Sequence, residues 1–426
     1  MLTAMLLTFI VLLLIGMPLA FVMGVTAVVG MALDRTLPNL IMASRVFAAT
    51  DSFALMAIPF FMLAGALMNR TGITARIVSF ALSLVGHVRG GLGHATTVTG
   101  VIMAMISGSA NADSAAIGAI MLPSLKKAGY NEGFAVALVA SAGVLAPIIP
   151  PSILMIIYAS STGIPVVTLF AAGFVPGFMV AAGYMVYTYF YARKTNIAVT
   201  HWVGFRRLFK DLKDAVWALI MPVIVIGGIL AGVFTATEAG AIAVLYGVVY
   251  GLAVRSLNFK LLTTCLIEAV KAAVGPMLII CFANMLTYMF TRENLSVILV
   301  SYMTSLTTDY YVMLFLIVLI ILILGMFIEV TSAMLMAIPV LMPLINVMGY
   351  DPLVFAMVVL VTFVAGGITP PVGIVLYIVS GINQTPLSGP VRHIWPFVGI
   401  VLLVVVVAIF FPAVFTSGPK LLGLWQ

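Results

Sequence analysis

The stretch ISGSANADSAAIG (residues 106–118) sets four small polar side chains and a carboxylate within thirteen residues of a chain that is otherwise overwhelmingly apolar. Of the 426 residues, 64% are hydrophobic and 7% charged, with a mean hydropathy of +1.29, whereas a soluble globular chain carries about 25% charged residues. The chain reads as a polytopic membrane protein. A polar interruption inside such a chain needs a physical reason, because unwound backbone in hydrocarbon costs several kcal/mol per orphan group.

The apolar runs at 1–32 and 397–415 each reach the roughly 20 residues that cross a bilayer as a helix. The first lacks a basic leader and a small-residue cleavage site, so it is expected to be a retained helix. The net charge of +7 sits in short loops, which points to the anionic inner leaflet and not to nucleic acid. Cys265 and Cys281 lack metal-ligand spacing. Residues 193–217 pair Trp202, Phe205, Leu208, Phe209 and Leu212 with Arg206, Arg207, Lys210 and Lys213 at helical spacing, the pattern of an amphipathic helix on the cytoplasmic surface.

That segment divides the chain in half, and the halves superpose in sequence. At an offset of 220, Pro123 falls on Pro343, Gly129-Tyr130 on Gly349-Tyr350, Pro150-Pro151 on Pro370-Pro371, and Ser160 on Ser380. The chain is an internal duplication. Arg89, Lys126 and Lys127 flank the first copy, while no Lys or Arg lies between Arg292 and Arg392. By the positive-inside bias the copies are inverted.

Each copy carries the same two breaks. A helix runs to SGSANAD (107–113) or FIEVTS (327–332) and returns, which predicts a re-entrant hairpin; a second helix is broken at APIIPPS (146–152) or GGITPPVG (366–373), where double proline forbids continuation. The expected fold is thus all-α, with inverted repeats that bring two hairpin tips and two broken helices to the middle of the bilayer.

A hard cation satisfies such freed oxygens. One Na+ is expected at each tip-and-break pair, the first held by Ser107, Gly108, Ser109 and Asn111 with Gly143 and Pro147, the second by Glu329 and Thr331 with Gly366 and Thr369. An anionic substrate is expected between them, near Ser109, Asn111, Asp113, Pro150, Ser152, Thr331, Pro370 and Gly373, because short helices starting near Ser152 and Gly373 aim their positive ends there. Na+ is preferred to H+ because a proton relay normally needs several buried carboxylates or histidines, and the breaks hold just Asp113 and Glu329. The competing structural roles are helix capping for Asn111, Asp113 and Glu329, a cap at Glu238, and a helix-face pair of Glu268 with Lys271. The histidines are scattered singly, and no nucleotide-binding, zinc-protease or nucleophile-elbow motif occurs. An enzyme is not expected, and neither is an organic cofactor.

MAIPFFMLAG (56–65), GHVRGGLG (86–93), SGSANADSAAIGAIMLP (107–123), APIIPPS (146–152), GVFTATEAG (232–240), MLMAIPVLMP (334–343) and TPPVGIVLYIVSG (369–381) together resemble the large membrane subunit of tripartite ATP-independent periplasmic (TRAP) transporters. The resemblance implies a Na+-powered organic-acid transporter of the bacterial inner membrane, with an elevator-type moving region. It also implies a small four-helix membrane subunit and a periplasmic substrate-binding protein as partners. The organisation expected is scaffold at 1–86 and 218–306, transport regions at 87–192 (hairpin 89–127, broken helix 133–163) and 307–390 (hairpin 309–347, broken helix 352–383), the linker at 193–217, and a last helix at 391–426. Ala236 and the Asn111-Ala-Asp113 tip depart from the family's commoner residues. A self-sufficient Na+/divalent-anion symporter and an anion channel are the alternatives.

Overall fold

The computed structural model describes residues 1–34, 36–38, 40–199 and 201–425, the side chain of Asn346 excepted. Among them every regular element is a helix, and seven helices are long and apolar enough to cross a membrane. The scaffold of the first half holds α1 (Leu2–Leu14), α2 (Leu19–Leu33), α3 (Leu40–Thr50), a 3-10 turn (Ala54–Met56), α4 (Ala57–Arg70) and α5 (Ile73–Val85). Its hairpin is α6 (Gly91–Ser107) and α7 (Ala110–Lys127), its broken helix α8 (Glu132–Gly143) and α9 (Ile153–Thr162), followed by α10 (Val166–Lys194). The second half runs through α11 (Phe205–Leu230), α12 (Ala236–Ala253), α13 (Phe259–Arg292) and α14 (Leu295–Leu306). Then come the hairpin α15 (Tyr310–Phe327) and α16 (Val330–Met348), the broken helix α17 (Pro352–Ile368) and α18 (Ile374–Asn383), and finally α19 (Ser388–Phe410) and α20 (Pro412–Leu421).

The duplication is visible in the helix boundaries. Helices α7 and α16 start 220 residues apart, as do α8 and α17, and the starts of α6 and α15, α9 and α18, and α10 and α19 keep that spacing within two residues. The turns match as well: Gly129 and Gly349 both take positive φ, and Asn131 and Asp351 both cap the next helix with a side-chain oxygen. The halves interlock, since α7 packs on α18 and α16 packs on α9. Each hairpin therefore leans on the other repeat's short helix.

Four expectations change. The apolar run 1–32 is two helices of 13 and 15 residues, because Gly16 at φ +85° turns the chain and Pro18 caps α2. Both ends of this pair meet the end of α13: the Leu2 amide donates to Glu293 Oε2 at 2.8 Å, and Asp34 pairs with Arg292. The Thr36 hydroxyl first, and then the Arg292 guanidinium, hold the Asp34 carboxyl down at about 2. The linker helix is the first half of the 26-residue α11, as no breaker separates its amphipathic start from the apolar residues after Asp214. The last segment is two helices, divided where Pro412 opens α20. Finally, Glu268 pairs with Arg70 and not Lys271, because α13 lies along α4 and brings it within reach of Arg70 in the last turn. Glu238 is a cap: with Thr235 it forms a reciprocal capping box at the start of α12.

Candidate functional site

At the first tip, α6 ends on Ser107 and the chain reverses through Gly108 at φ +63°. Ser109 caps α7, its Oγ 3.5 Å from the Ala112 amide. The Ser107 hydroxyl donates to Asp113 and accepts from the Ser109 amide at 3.1 Å, so the carboxylate clasps the two arms of the turn. A Cβ on Gly108 would stand 2.6 Å from the Pro151 carbonyl oxygen; the tip thus sits directly on the break of the broken helix. Within that break the Ser152 hydroxyl donates to the Pro147 carbonyl at 2.7 Å and its oxygen accepts from the Met155 amide at 3.3 Å. Ser152 closes the break and caps α9.

The second tip is similar in plan and different in chemistry. Glu329 takes Ser109's place as the cap, accepting from the Ser332 amide at 3.0 Å and the Ser332 hydroxyl at 3.1 Å. A Cβ on Gly367 would meet Val330 at 2.9 Å, so this tip also touches its break. Thr369 is fully buried, its hydroxyl donating to the Ala365 carbonyl at 2.6 Å. Whereas residues 143–152 of the first break are all buried, Pro371 and Val372 of the second are exposed.

Between the tips lies a cavity of about 560 Å³, within the ~300–1,000 Å³ range of small-molecule sites. The structure brings Gly108, Ser109, Asn111, Pro147, Glu329 and Thr331 to its wall. First-turn residues of four helices face it: Ala110 of α7, Ile153 of α9, Val330 of α16 and Ile374 of α18. The sequence pointed to two such helix starts; folding the tips inward adds the other two. Each carries about half a positive charge, and among the described residues no Lys or Arg lines the space. The scaffold supplies Met62 of α4 and Gly275 and Pro276 of α13. Sequence reading gave these three no role, and the signal available on α13 was Pro276 inside a 34-residue helix.

The remaining expected residues are not at this wall. Ser107, Asp113, Pro150, Ser152 and Gly373 are buried behind it, and Pro370 is half-buried beside the exposed end of its break. Gly143 and Gly366 are helix crossings. A Cβ on Gly143 would lie 1.7 Å from Ser114 Oγ, and one on Gly366 2.7 Å from Gly325 Cα. Overpacking of this kind costs about 1–3 kcal/mol, so Gly143→Ala should lower the thermal midpoint in detergent by several degrees; an unshifted midpoint would show that α7 and α8 separate freely.

Behind the first tip two oxygens stand without a hydrogen-bond partner among the described residues: Asp113 Oδ2 and Ser114 Oγ, both on fully buried side chains. No three His, Cys, Asp or Glu side chains gather among the described residues. The donor set here is hydroxyl, carbonyl and one carboxylate, all hard oxygen.

Residues 6–414 match the family described as "Tripartite ATP-independent periplasmic transporter, DctM component". The chain belongs to this family, whose members are transporter permease subunits and not enzymes. It is 36% identical over 93% of its length to the 2,3-diketo-L-gulonate TRAP transporter large permease protein YiaN of Escherichia coli, covering 94% of that protein. It is 34% identical over 95% of its length to the sialic acid TRAP transporter large permease protein SiaM of Vibrio cholerae, again covering 95% of the relative. The YdaH transporter of Alcanivorax borkumensis superposes with a TM-score of 0.62 over 86% of each chain at 16% identity, a likeness of fold.

Proposed function

We propose that this multi-pass permease subunit imports a small organic acid anion across the bacterial inner membrane, coupled to Na+, by elevator-type alternating access. The observation that carries the anion is the convergence of four helix N-termini on one cavity that, among the described residues, no Lys or Arg lines, its one lining carboxylate, Glu329, being the cap of α16 and assigned below to a cation. Relatives named for diketogulonate, sialic acid and C4-dicarboxylate, at 34–36% identity, support an organic acid as the substrate class. Ser109, Asn111 and Thr331 are positioned to hydrogen-bond it.

Na+ would supply the charge that the two partnerless oxygens call for. The first site is assigned to Ser107, Asp113 and Ser114 with carbonyls of the adjoining break, which moves Asp113 from substrate to ion. The second is assigned to Glu329 and Thr331 with the break around Gly367 and Thr369. Two Na+ per monoanion carry one net charge inward, and one charge across 100 mV supplies about 2.3 kcal/mol before any concentration gradient is counted.

The elevator reading is supported by unequal engagement of the inverted halves. Short helix α9 packs on α16, α10 and α17 and in addition on α4 and the 3-10 turn of the scaffold, while its counterpart α18 packs on α7, α8 and α17. Exchanging these two environments generates the opposite state. Membership of the family supports a small membrane subunit and a periplasmic binding protein as partners.

Proteoliposomes containing the chain, its small subunit and a loaded binding protein should accumulate the acid when external Na+ exceeds internal, and should stop when any component is withheld. Uptake without the binding protein would favour the self-sufficient symporter. Flux that ignores Na+ and never saturates would favour the channel.

A further inference from the structure

We infer that a second, polar cavity on the outer side of the central one is a way station through which a hydroxyl-bearing organic acid reaches it, an inference that rests on the transport reading above. This cavity has a volume of about 280 Å³ and is lined by the polar side chains of Ser52, Ser160, Ser161, Asn284 and Thr287.

Its position follows from the helices it shares with the central site. On α13 the central cavity takes Gly275, Pro276 and Ile279, and the second takes Ala283, Asn284 and Thr287, the next turns of the same face. On α16 the sequence is Thr331 and then Leu335 and Pro339; on α9 it is Ile153 and then Ser160 and Ser161. The two spaces form one line between scaffold and transport region. Lys126 and Lys127 mark the inner side from which α8 and α9 run, so the last turn of α9 lies toward the outer side.

Its chemistry fits transit. The hydroxyls of Ser160 and Ser161 donate to the Ile157 carbonyl at 2.8 and 3.0 Å, leaving oxygen lone pairs to accept from a substrate hydroxyl. The side chains of Asn284 and Thr287 have no hydrogen-bond partner among the described residues, and Asn284 is exposed. Neutral groups of this kind pair with hydroxyls and a carboxylate without holding either tightly. Arg45, stacked 4.4 Å over the ring of Tyr288 beside Thr287, adds a positive field close by without lining the space. At 280 Å³ the space falls just under the ~300–1,000 Å³ of ligand sites, which suits passage more than storage.

The test is Asn284→Cys in a chain carrying Cys265→Ser and Cys281→Ala, reconstituted with its partners and treated from outside with membrane-impermeant methanethiosulfonate ethylsulfonate. The expected result is modification of position 284 and a fall in initial uptake of at least about tenfold, while modification of Ser301→Cys, exposed on α14, leaves uptake unchanged. A position 284 that the external reagent never reaches, or that it modifies without slowing uptake, overturns the proposal. Should the cysteine substitutions themselves stop uptake, Asn284→Leu in the unaltered chain decides. It should raise the concentration of loaded binding protein giving half-maximal rate about tenfold with the Na+ dependence unchanged, and an unchanged concentration overturns the proposal. A wild-type chain that moves no acid fails the transport reading itself; labelling from outside then still reports whether the cavity opens outward, and closure to the reagent overturns it.

Discussion

Gly108→Ala is expected to cut the initial rate of uptake by about 100-fold, the loss typical of a 1 Å displacement of a group that must be positioned for its task. Two independent constraints act at this position. The residue holds φ at +63°, and its Cβ would stand 2.6 Å from the Pro151 carbonyl oxygen. The first costs about 1–2 kcal/mol for an L-residue. The second cannot be relieved by a rotamer change, because the atoms the added methyl would meet, the Pro151 carbonyl and the Ile153 amide nitrogen, belong to the backbone. The tip must lift off the break, carrying Ser109 and Asn111 with it and parting the helix starts that converge on the cavity. Gly129→Ala isolates the first constraint: its φ is +85°, yet nothing lies within 4 Å of the added methyl. It should cost a similar backbone strain and leave uptake near the wild-type rate. Equal losses in the two variants would mean that strain alone matters and that the seating of the tip on the break does not.

The hairpins and broken helices are legible in sequence because each departs from its surroundings in composition. Small polar residues at 107–113, double prolines at 150–151 and 370–371, and a gapless 220-residue register have no other economical reading in an apolar chain. The scaffold is less so. Residues 1–32 are long enough to span, and the Gly16 and Pro18 that divide them carry no signal in mean hydropathy. The start of α11 reads as interfacial because amphipathicity is a local property, while the continuity of a helix is decided by the residues on its C-terminal side. Met62, Gly275 and Pro276 wall the cavity with apolar atoms, and apolar residues are too common here to stand out. Glycine is ambiguous in a further way. Gly108 and Gly373 loosen the backbone at a break, whereas Gly143 and Gly366 let helices cross closely, and only the neighbour facing each one tells them apart.

Asp113 is the residue whose place in the fold changed its meaning, and its isosteric replacement has the second large effect. The five residues separating it from Ser107 give no hint in sequence that the two side chains meet across the turn. Folded, the carboxylate is fully buried, has one hydroxyl donor, and leaves Oδ2 without a partner among the described residues; the hydroxyl of the next residue, Ser114, is likewise without one. A buried charge left uncompensated costs about 3–5 kcal/mol, which a Na+ bound here, as proposed above, would offset with hard-oxygen ligands. Asp113→Asn keeps the shape and can still accept from Ser107, so the tip should hold together and the thermal midpoint without Na+ should stay at or above the wild-type value. The loss should fall on the ion. A charge-assisted contact contributes about 1.5–3 kcal/mol, hence the Na+ concentration for half-maximal uptake should rise roughly 10- to 100-fold, and the rise in thermal midpoint expected of the wild-type protein in Na+ should disappear. A variant that melts earlier yet keeps its Na+ curve would make Asp113 a clasp of the turn and nothing more. A variant that keeps both would place the first cation elsewhere.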